Sequence, residues 1–210
     1  MPHRSYDQYC AIARALDLVG ERWALLIVRE LLAGPRRYTD LHADLPGVST
    51  DVLASRLKDL EREGLAVRRR LNRAGATYVY ALTPRGLGLL PVLSALADWG
   101  TPALEQRRPT DAVRAHWLAV PLLARLAPLA GAHTGTVDVQ LDEGAFHLRF
   151  DDSGPGYGDG PAERAEARLT LDAAVCLELT RGELPLGQGI KEGTIGLHGS
   201  GPLADALRAS

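Results

Sequence analysis

Hydrophobic periodicity changes once along this chain, and that change bounds what it can fold into. From Cys10 to Trp99 apolar residues recur at helical spacing, whereas Val137-Val139-Leu141, Phe146-Leu148-Phe150 and Leu169-Leu171 alternate with polar ones. A 3.6-residue period marks helices and a 2-residue period marks half-buried strands. The expected class is therefore α+β, helices first and a mainly antiparallel sheet second. Between the two, GTPALEQRRPTD (Gly100–Asp111) breaks both periods with two prolines and a glycine, as a linker does. The 210 residues suit two small domains, 1–100 and 112–210, joined by 101–111.

In the first part, Cys10 to Val19 carries Ile12, Ala15, Leu16 and Val19 at helical spacing. Glu21 to Ala33 is apolar almost all round, so it is expected to be a central, buried helix stopped by Gly34-Pro35. Thr39 to Leu45 is a short helix with Thr39 as its N-cap, ended by Pro46-Gly47. Ser49 then caps a longer helix that Gly64 ends. On its wheel Val52, Leu53, Leu57 and Leu60 share an apolar arc, with Asp51, Ser55, Lys58 and Arg62 opposite. Val67–Leu71 and Thr77–Leu82 read as strands around the loop Asn72-Arg73-Ala74-Gly75. Thr83-Pro84 opens a further helix running to Trp99.

A buried helix, then helix, tight turn, helix and a hairpin is the order of a winged helix-turn-helix, whose second paired helix enters the DNA major groove. The residues from Cys10 to Gly100 resemble the HxlR family of bacterial winged-helix transcription regulators. The resemblance is carried by Cys10 and its helix, Trp23 with the following LLI run, GPRRYTDL, LPGVS, LASRLKDLEREGL and LTPRG. It implies a homodimer paired through roughly Tyr6–Val19 and Pro84–Trp99, a repressor, and double-stranded DNA with a near-palindromic operator as partner.

Ser49, Thr50 and Asp51 at a helix N-terminus place short polar groups and a partial positive dipole where base edges and phosphates lie. With Ser55 and Lys58 they form the expected reading face. Asp51 either accepts from cytosine, orients an arginine or only caps the helix. Arg36, Arg37 and Arg73 are expected on the DNA backbone, while Arg56, beside the apolar arc, suits a salt bridge as well as a phosphate. Arg68, Arg69 and Arg70 alternate across a strand and cannot share one face. Residues 1–100 hold 14 Arg and Lys against 11 Asp and Glu, net +3, and residues 101–210 hold 10 against 15, net −5. A polyanion would meet the first part, not the second.

Cys10 matches a position that senses oxidants or electrophiles in several HxlR relatives. A helix N-terminus would favour its thiolate; the competing reading is a small residue at the dimer interface. With Cys176 it makes two cysteines far apart, which fits a reducing, cytoplasmic compartment. The start, MPHRSYDQYC, has no apolar signal region, and no run approaches the roughly 18 apolar residues of a membrane span.

Ala112 to Leu129 reads as an amphipathic helix kinked at Pro121, and Asp172 caps AAVCLELTR. ARLTLDAAVCLELTRGELPLGQGIKEGTIGLHGSGPLADAL resembles the end of sterol carrier protein 2-like domains, an α/β sandwich with helices on one face of a five-stranded, mainly antiparallel sheet. That resemblance implies a pocket for a small apolar or aromatic ligand against Trp117, Phe146, Phe150 and Leu177, residues that plain core packing explains equally.

An enzyme is not expected. The six histidines lack zinc-ligand spacing, so neither metal nor cofactor is expected. DDSGPGYGDG (Asp151–Gly160) matches neither an EF-hand nor a P-loop and reads as a hairpin loop; Gly199-Ser200-Gly201 is not a nucleophile elbow. His116 and Glu178 are the one nameable acid–base pair.

Overall fold

Caps, stops and apolar spacing place four helices ahead of the first strand in a computed structural model, which describes residues 5–71, 77–104, 108–152 and 154–210. These are α1 (Ala11–Val19), α2 (Ala24–Leu32), α3 (Tyr38–Asp44) and α4 (Thr50–Arg62), followed by β1 (Ala66–Arg70), β2 (Tyr78–Leu82) and the single turn α5 (Pro84–Leu87). They belong to the first of two units, Met1–Leu90 and Pro91–Ser210. Its core is Ile27, Val28 and Leu31 of α2 with Leu41, Leu53, Leu57, Leu60 and Val79. Each such side chain contributes about 1.5–3 kcal/mol on full burial.

The Ser49 Oγ accepts from the Val52 N–H at 3.3 Å, capping α4 as expected, and Gly64 at φ 67° turns the chain out of it. Other details differ from expectation. Helix α2 starts at Ala24, not Glu21, because Trp23 sits in the left-handed region at φ 81°, a conformation no helix contains. Thr39 lies inside α3; the cap position is Arg37, whose backbone N–H donates to the Asp40 carboxylate at 3.2 Å. Val52 is exposed, so the buried arc of α4 narrows to Leu53, Leu57 and Leu60. The helix from Pro84 is interrupted, α6 (Leu90–Gly100) restarting after Gly88-Leu89. At Gly86 a Cβ would overlap the Leu65 carbonyl oxygen, so the backbone there approaches more closely than any other residue allows. The stretch Pro84–Leu104, 21 residues of mean hydropathy 1.2 and 6% buried, is by length and composition apolar enough to cross a membrane. The sequence expectation counted only unbroken apolar runs, and Arg85, Ser94 and Asp98 interrupt this one.

The second unit contains most of α6, two 3-10 turns (Thr101–Leu104 and Ala115–Leu118), α7 (Ala119–Ala130), β3 (Gly135–Leu141), β4 (Gly144–Phe150), β5 (Gly156–Asp159), β6 (Ala167–Thr170), α8 (Ala173–Arg181), α9 (Leu186–Glu192), β7 (Gly196–Gly199) and α10 (Pro202–Arg208). The sheet runs β5-β4-β3-β6-β7. It is mixed: β3 and β6 are parallel and the other three pairs antiparallel. Register aligns Val139 with Phe146 and Leu169, and Val137 with Leu148 and Ala167, which gathers one wholly apolar face. Helix α7, burying Val120, Leu122, Leu123 and Leu126, packs against β4 and β5, and α10 against β7.

Two expectations are corrected in this unit. Residues 111–114 are not helical, so Pro121 falls in the first turn of α7, where its missing N–H costs no intrahelical bond and gives no reason for a kink. The glycine-rich Asp151–Gly160 contains the edge strand β5. Its bare glycines let neighbouring side chains lie across it: a Cβ at Gly158 would overlap the His147 ring. Leu186–Glu192 forms the helix α9.

Candidate nucleic-acid interface

Helix α3, the turn through Gly47 at φ 87° and α4 form the paired-helix element. The Tyr38 hydroxyl donates to the Thr50 carbonyl at 2.8 Å, tying α3 to the first turn of α4. That fixes the helix end while Ser49, Thr50, Asp51, Ser55 and Lys58 stay exposed. These five polar side chains line the solvent side of a helix whose opposite side is fully buried.

The arginines divide into committed and free. Arg56 is half-buried, 2.6 Å from Asp59 and 3.5 Å from Glu21, so its charge is spent inside the fold. Arg62 also bonds Asp59, at 2.8 Å, and Glu63, at 3.0 Å; these two carboxylates raise its pKa and keep it protonated. Arg36 lies 3.9 Å from Asp44, and its backbone pairs with Tyr80 as a short third strand beside the hairpin (2.9 and 2.7 Å). Arg37, by contrast, is exposed at the start of α3. Arg73 lies outside the described residues.

The hairpin adds a feature the sequence reading did not single out. Arg68 and Arg70 flank Tyr78 of the facing strand, with guanidinium carbons 4.2 and 5.6 Å from its ring centroid. Arg70 also donates to the Tyr78 hydroxyl at 3.2 Å. Arg69 takes the other face of the strand, as alternation requires. The i, i+2 spacing of Arg68 and Arg70, with Tyr78 at the register partner of Arg70, was the available signal. Stacking on a ring holds two long cations in one plane at the exposed hairpin.

Cys10 is exposed at the N-cap of α1, and the backbone N–H groups of Ala13 and then Ile12 lower its pKa by bonding the thiolate. Cys176 is buried, and burial pushes its thiol up to about 12. In the second unit Phe146 and Phe150 are buried and Trp117 and Leu177 half-buried. His116, 3% exposed, has its Nδ1 3.3 Å from an Asp159 carboxylate oxygen, while Glu178 is exposed.

Residues 18–108 match the HxlR-like helix-turn-helix family. The regulator YvaP of Bacillus subtilis, an HTH-type transcriptional regulator, is 39% identical over 88 residues, which are 82% of its length and 42% of this chain. This chain belongs to the HxlR-like helix-turn-helix family. A Synechocystis HTH-type regulator, sll1512, is 39% identical over 72% of its length and 46% of this chain. YodB of Bacillus subtilis, another HTH-type regulator, is 34% identical over 76% of its length and 40% of this chain. As an HxlR-like protein this chain is a transcriptional regulator of helix-turn-helix type.

Proposed function

We propose that this regulator acts in the cytoplasm as a homodimeric repressor, α4 reading the major groove of a near-palindromic operator and the wing arginines holding the backbone. The observation that carries it is the start of α4: a capped helix end, tied down by Tyr38, with Thr50, Asp51, Ser55 and Lys58 open to solvent. Base contact falls to these side chains and to the helix N-terminus, and sequence-independent affinity to Arg37, Arg68, Arg70 and Arg73. Arg36 and Arg56 support the element from inside the fold. Selection of bound duplexes from a random pool at stated salt tests this directly. An enriched inverted repeat with half-sites about one helical turn, or a multiple, apart is the expected product, and an unenriched pool refutes it.

Dimerisation through α1 and α6 is supported by what each leaves uncovered. Tyr6 and Tyr9 are exposed ahead of α1, Ile12 and Leu16 along it, and Leu96 and Trp99 along α6, with Ile12 72% and Trp99 82% exposed. Apolar surface on this scale is the signature of an interface, and a second copy covers the apolar stretch Pro84–Leu104 without a membrane. DNA binding and dimerisation then occupy 1–100, with 101–111 as linker. For 112–210 we propose a sterol carrier protein 2-like sandwich that responds to a small apolar ligand. Its support is the mixed five-stranded sheet with α7 against β4 and β5 and the half-buried Trp117 and Leu177. A ligand that favours one dimer geometry would change operator affinity by population shift.

A second reading is favoured by Cys10, exposed and with a lowered pKa: thiol modification releases DNA and the second unit is a scaffold. Cys10→Ser separates the two, because oxidant-driven release persists in that variant only if the thiol is not the switch.

A further inference from the structure

An open cleft of about 260 Å³ in the second unit is lined by Asp98, Thr101, Pro102, Thr180, Arg181 and Glu183. A neighbouring recess of about 130 Å³ shares Asp98, Thr101 and Thr180 and adds Arg125. Four elements supply these walls: α6, the 3-10 turn after it, α7 and the end of α8. The cleft is separate from the apolar interior around Phe146 and Phe150.

The polar groups here are unevenly satisfied. Arg125 is committed, its guanidinium donating to the Leu179 carbonyl at 3.1 Å and the Thr180 carbonyl at 3.5 Å. Arg181 is not. Its side chain is only 20% exposed, its Nε is buried without an acceptor, and its one ion pair, to Glu183, spans 3.7 Å, too long for a hydrogen bond. A buried Nε–H with no acceptor among the described residues is costly. Across the cleft the exposed carboxylate of Asp98 makes no ion pair among the described residues, with Arg181 or with any other cation. Asp98 and Arg181 thus line one cleft without pairing with each other.

The two threonines fix the sense of the remaining contacts. The Thr101 hydroxyl donates to the Ala97 carbonyl at 2.8 Å, and the Thr180 hydroxyl to the Leu177 carbonyl at 2.8 Å. With both hydrogens turned into their own helices, each oxygen has only lone pairs to offer. Besides Glu183, which faces Arg181 at 3.7 Å, the cleft therefore presents three acceptors, namely Asp98, Thr101 and Thr180, and one planar donor fork with no hydrogen bond among the described residues. Three acceptors suit an ammonium, and the fork matches a carboxylate.

We propose that this cleft binds a free α-amino acid, its ammonium held by Asp98 and the two threonine oxygens and its carboxylate by Arg181. Pro102 and Pro121 give an aliphatic side chain apolar wall to lie on. The consequence for DNA rests on the regulator reading above; binding itself does not.

Calorimetric titration of the full chain with each proteinogenic α-amino acid, beside the matching decarboxylated amine and deaminated acid, is the test. At least one amino acid binds, and Asp98→Asn and Arg181→Gln each weaken it about tenfold or more while leaving the melting curve in place. The amine or the acid alone binds more weakly than the amino acid. No binding across the panel overturns the proposal, as does affinity unchanged in both variants or an acid that binds as well as its amino acid. Fluorescence anisotropy on duplex DNA keeps the two readings apart. A bound amino acid that leaves DNA affinity unmoved denies it an effector role, and a protein that ignores duplex DNA refutes the operator reading, while the site stands in either case.

Discussion

Replacing both wing arginines, Arg68→Ala with Arg70→Ala, tests whether the structure has correctly separated free cations from committed ones. Both side chains are exposed on one face of β1 and stack on Tyr78, and neither makes an ion pair among the described residues. Each phosphate contact contributes about 0.9 to the slope of log affinity against log salt, so the pair accounts for about 1.8 per protomer and about 3.6 per dimer. From about 50 to 200 mM salt that difference amounts to roughly a hundredfold less loss of affinity in the variant, on top of weaker binding at low salt. The control is Arg56→Gln, whose guanidinium already pairs with Asp59 at 2.6 Å and Glu21 at 3.5 Å. Its slope stays within about 0.5 of the parent, because a charge neutralised inside the fold releases no counterion. Anisotropy of a labelled duplex across that salt range reads both. A double variant with the parental slope, or an Arg56→Gln slope reduced as far as the wing variant's, refutes the division.

Ser49→Ala removes the oxygen that accepts from Val52 and lowers unfolding free energy by about 1 kcal/mol in urea titration. Gly86→Ala drives a methyl into the Leu65 carbonyl oxygen and destabilises the protein by about 1–3 kcal/mol, since backbone on both sides must move. Iodoacetamide labels Cys10 in the native protein and reaches the buried Cys176 only on unfolding, as peptide mapping shows. The fold holds the Cys176 proton, so that contribution is complete below the ordinary thiol value of 9.0 and is lost as pH rises toward about 12. Cys176→Ala therefore flattens the alkaline fall in stability; an unchanged fall places its cause in another group.

Much of the DNA-binding element is legible from local chemistry, because Ser49, Gly64 and Thr83-Pro84 act on their own turns of chain. What escaped depends on groups far apart in sequence. Trp23 at φ 81° carries no local mark, since no residue pattern encodes a left-handed tryptophan. Strand β5 is nearly invisible, because Gly156-Tyr157-Gly158 has one apolar residue and is ordered by pairing with β4. The Arg68–Tyr78–Arg70 stack needed the hairpin register. The cleft around Arg181 needed α6, α7 and α8 together, and an unused guanidinium shows only when every neighbour has been placed.

Arginine content illustrates why charge counts mislead here. The net +3 of residues 1–100 is too small to identify a DNA-binding protein, and several of its cations are neutralised where they stand. Arg14 lies 3.8 Å from Asp17, Arg29 bonds Glu30 at 2.6 Å, Arg36 faces Asp44, and Arg56 and Arg62 share Asp59. Those pairs orient α2, α3 and α4 but project little field. Among the described residues Arg22, Arg37, Lys58, Arg85 and the wing arginines Arg68, Arg69 and Arg70 remain, all exposed, and all but Arg22 and Arg85 lie at the start of α3, on α4 or on the hairpin. A duplex responds to the local density of free cations rather than to a domain total. Several of the carboxylates that lower the sum, Glu21, Asp59 and Glu63 among them, are the same ones that pair with the arginines of α4, and removing them would raise the net charge while loosening that helix.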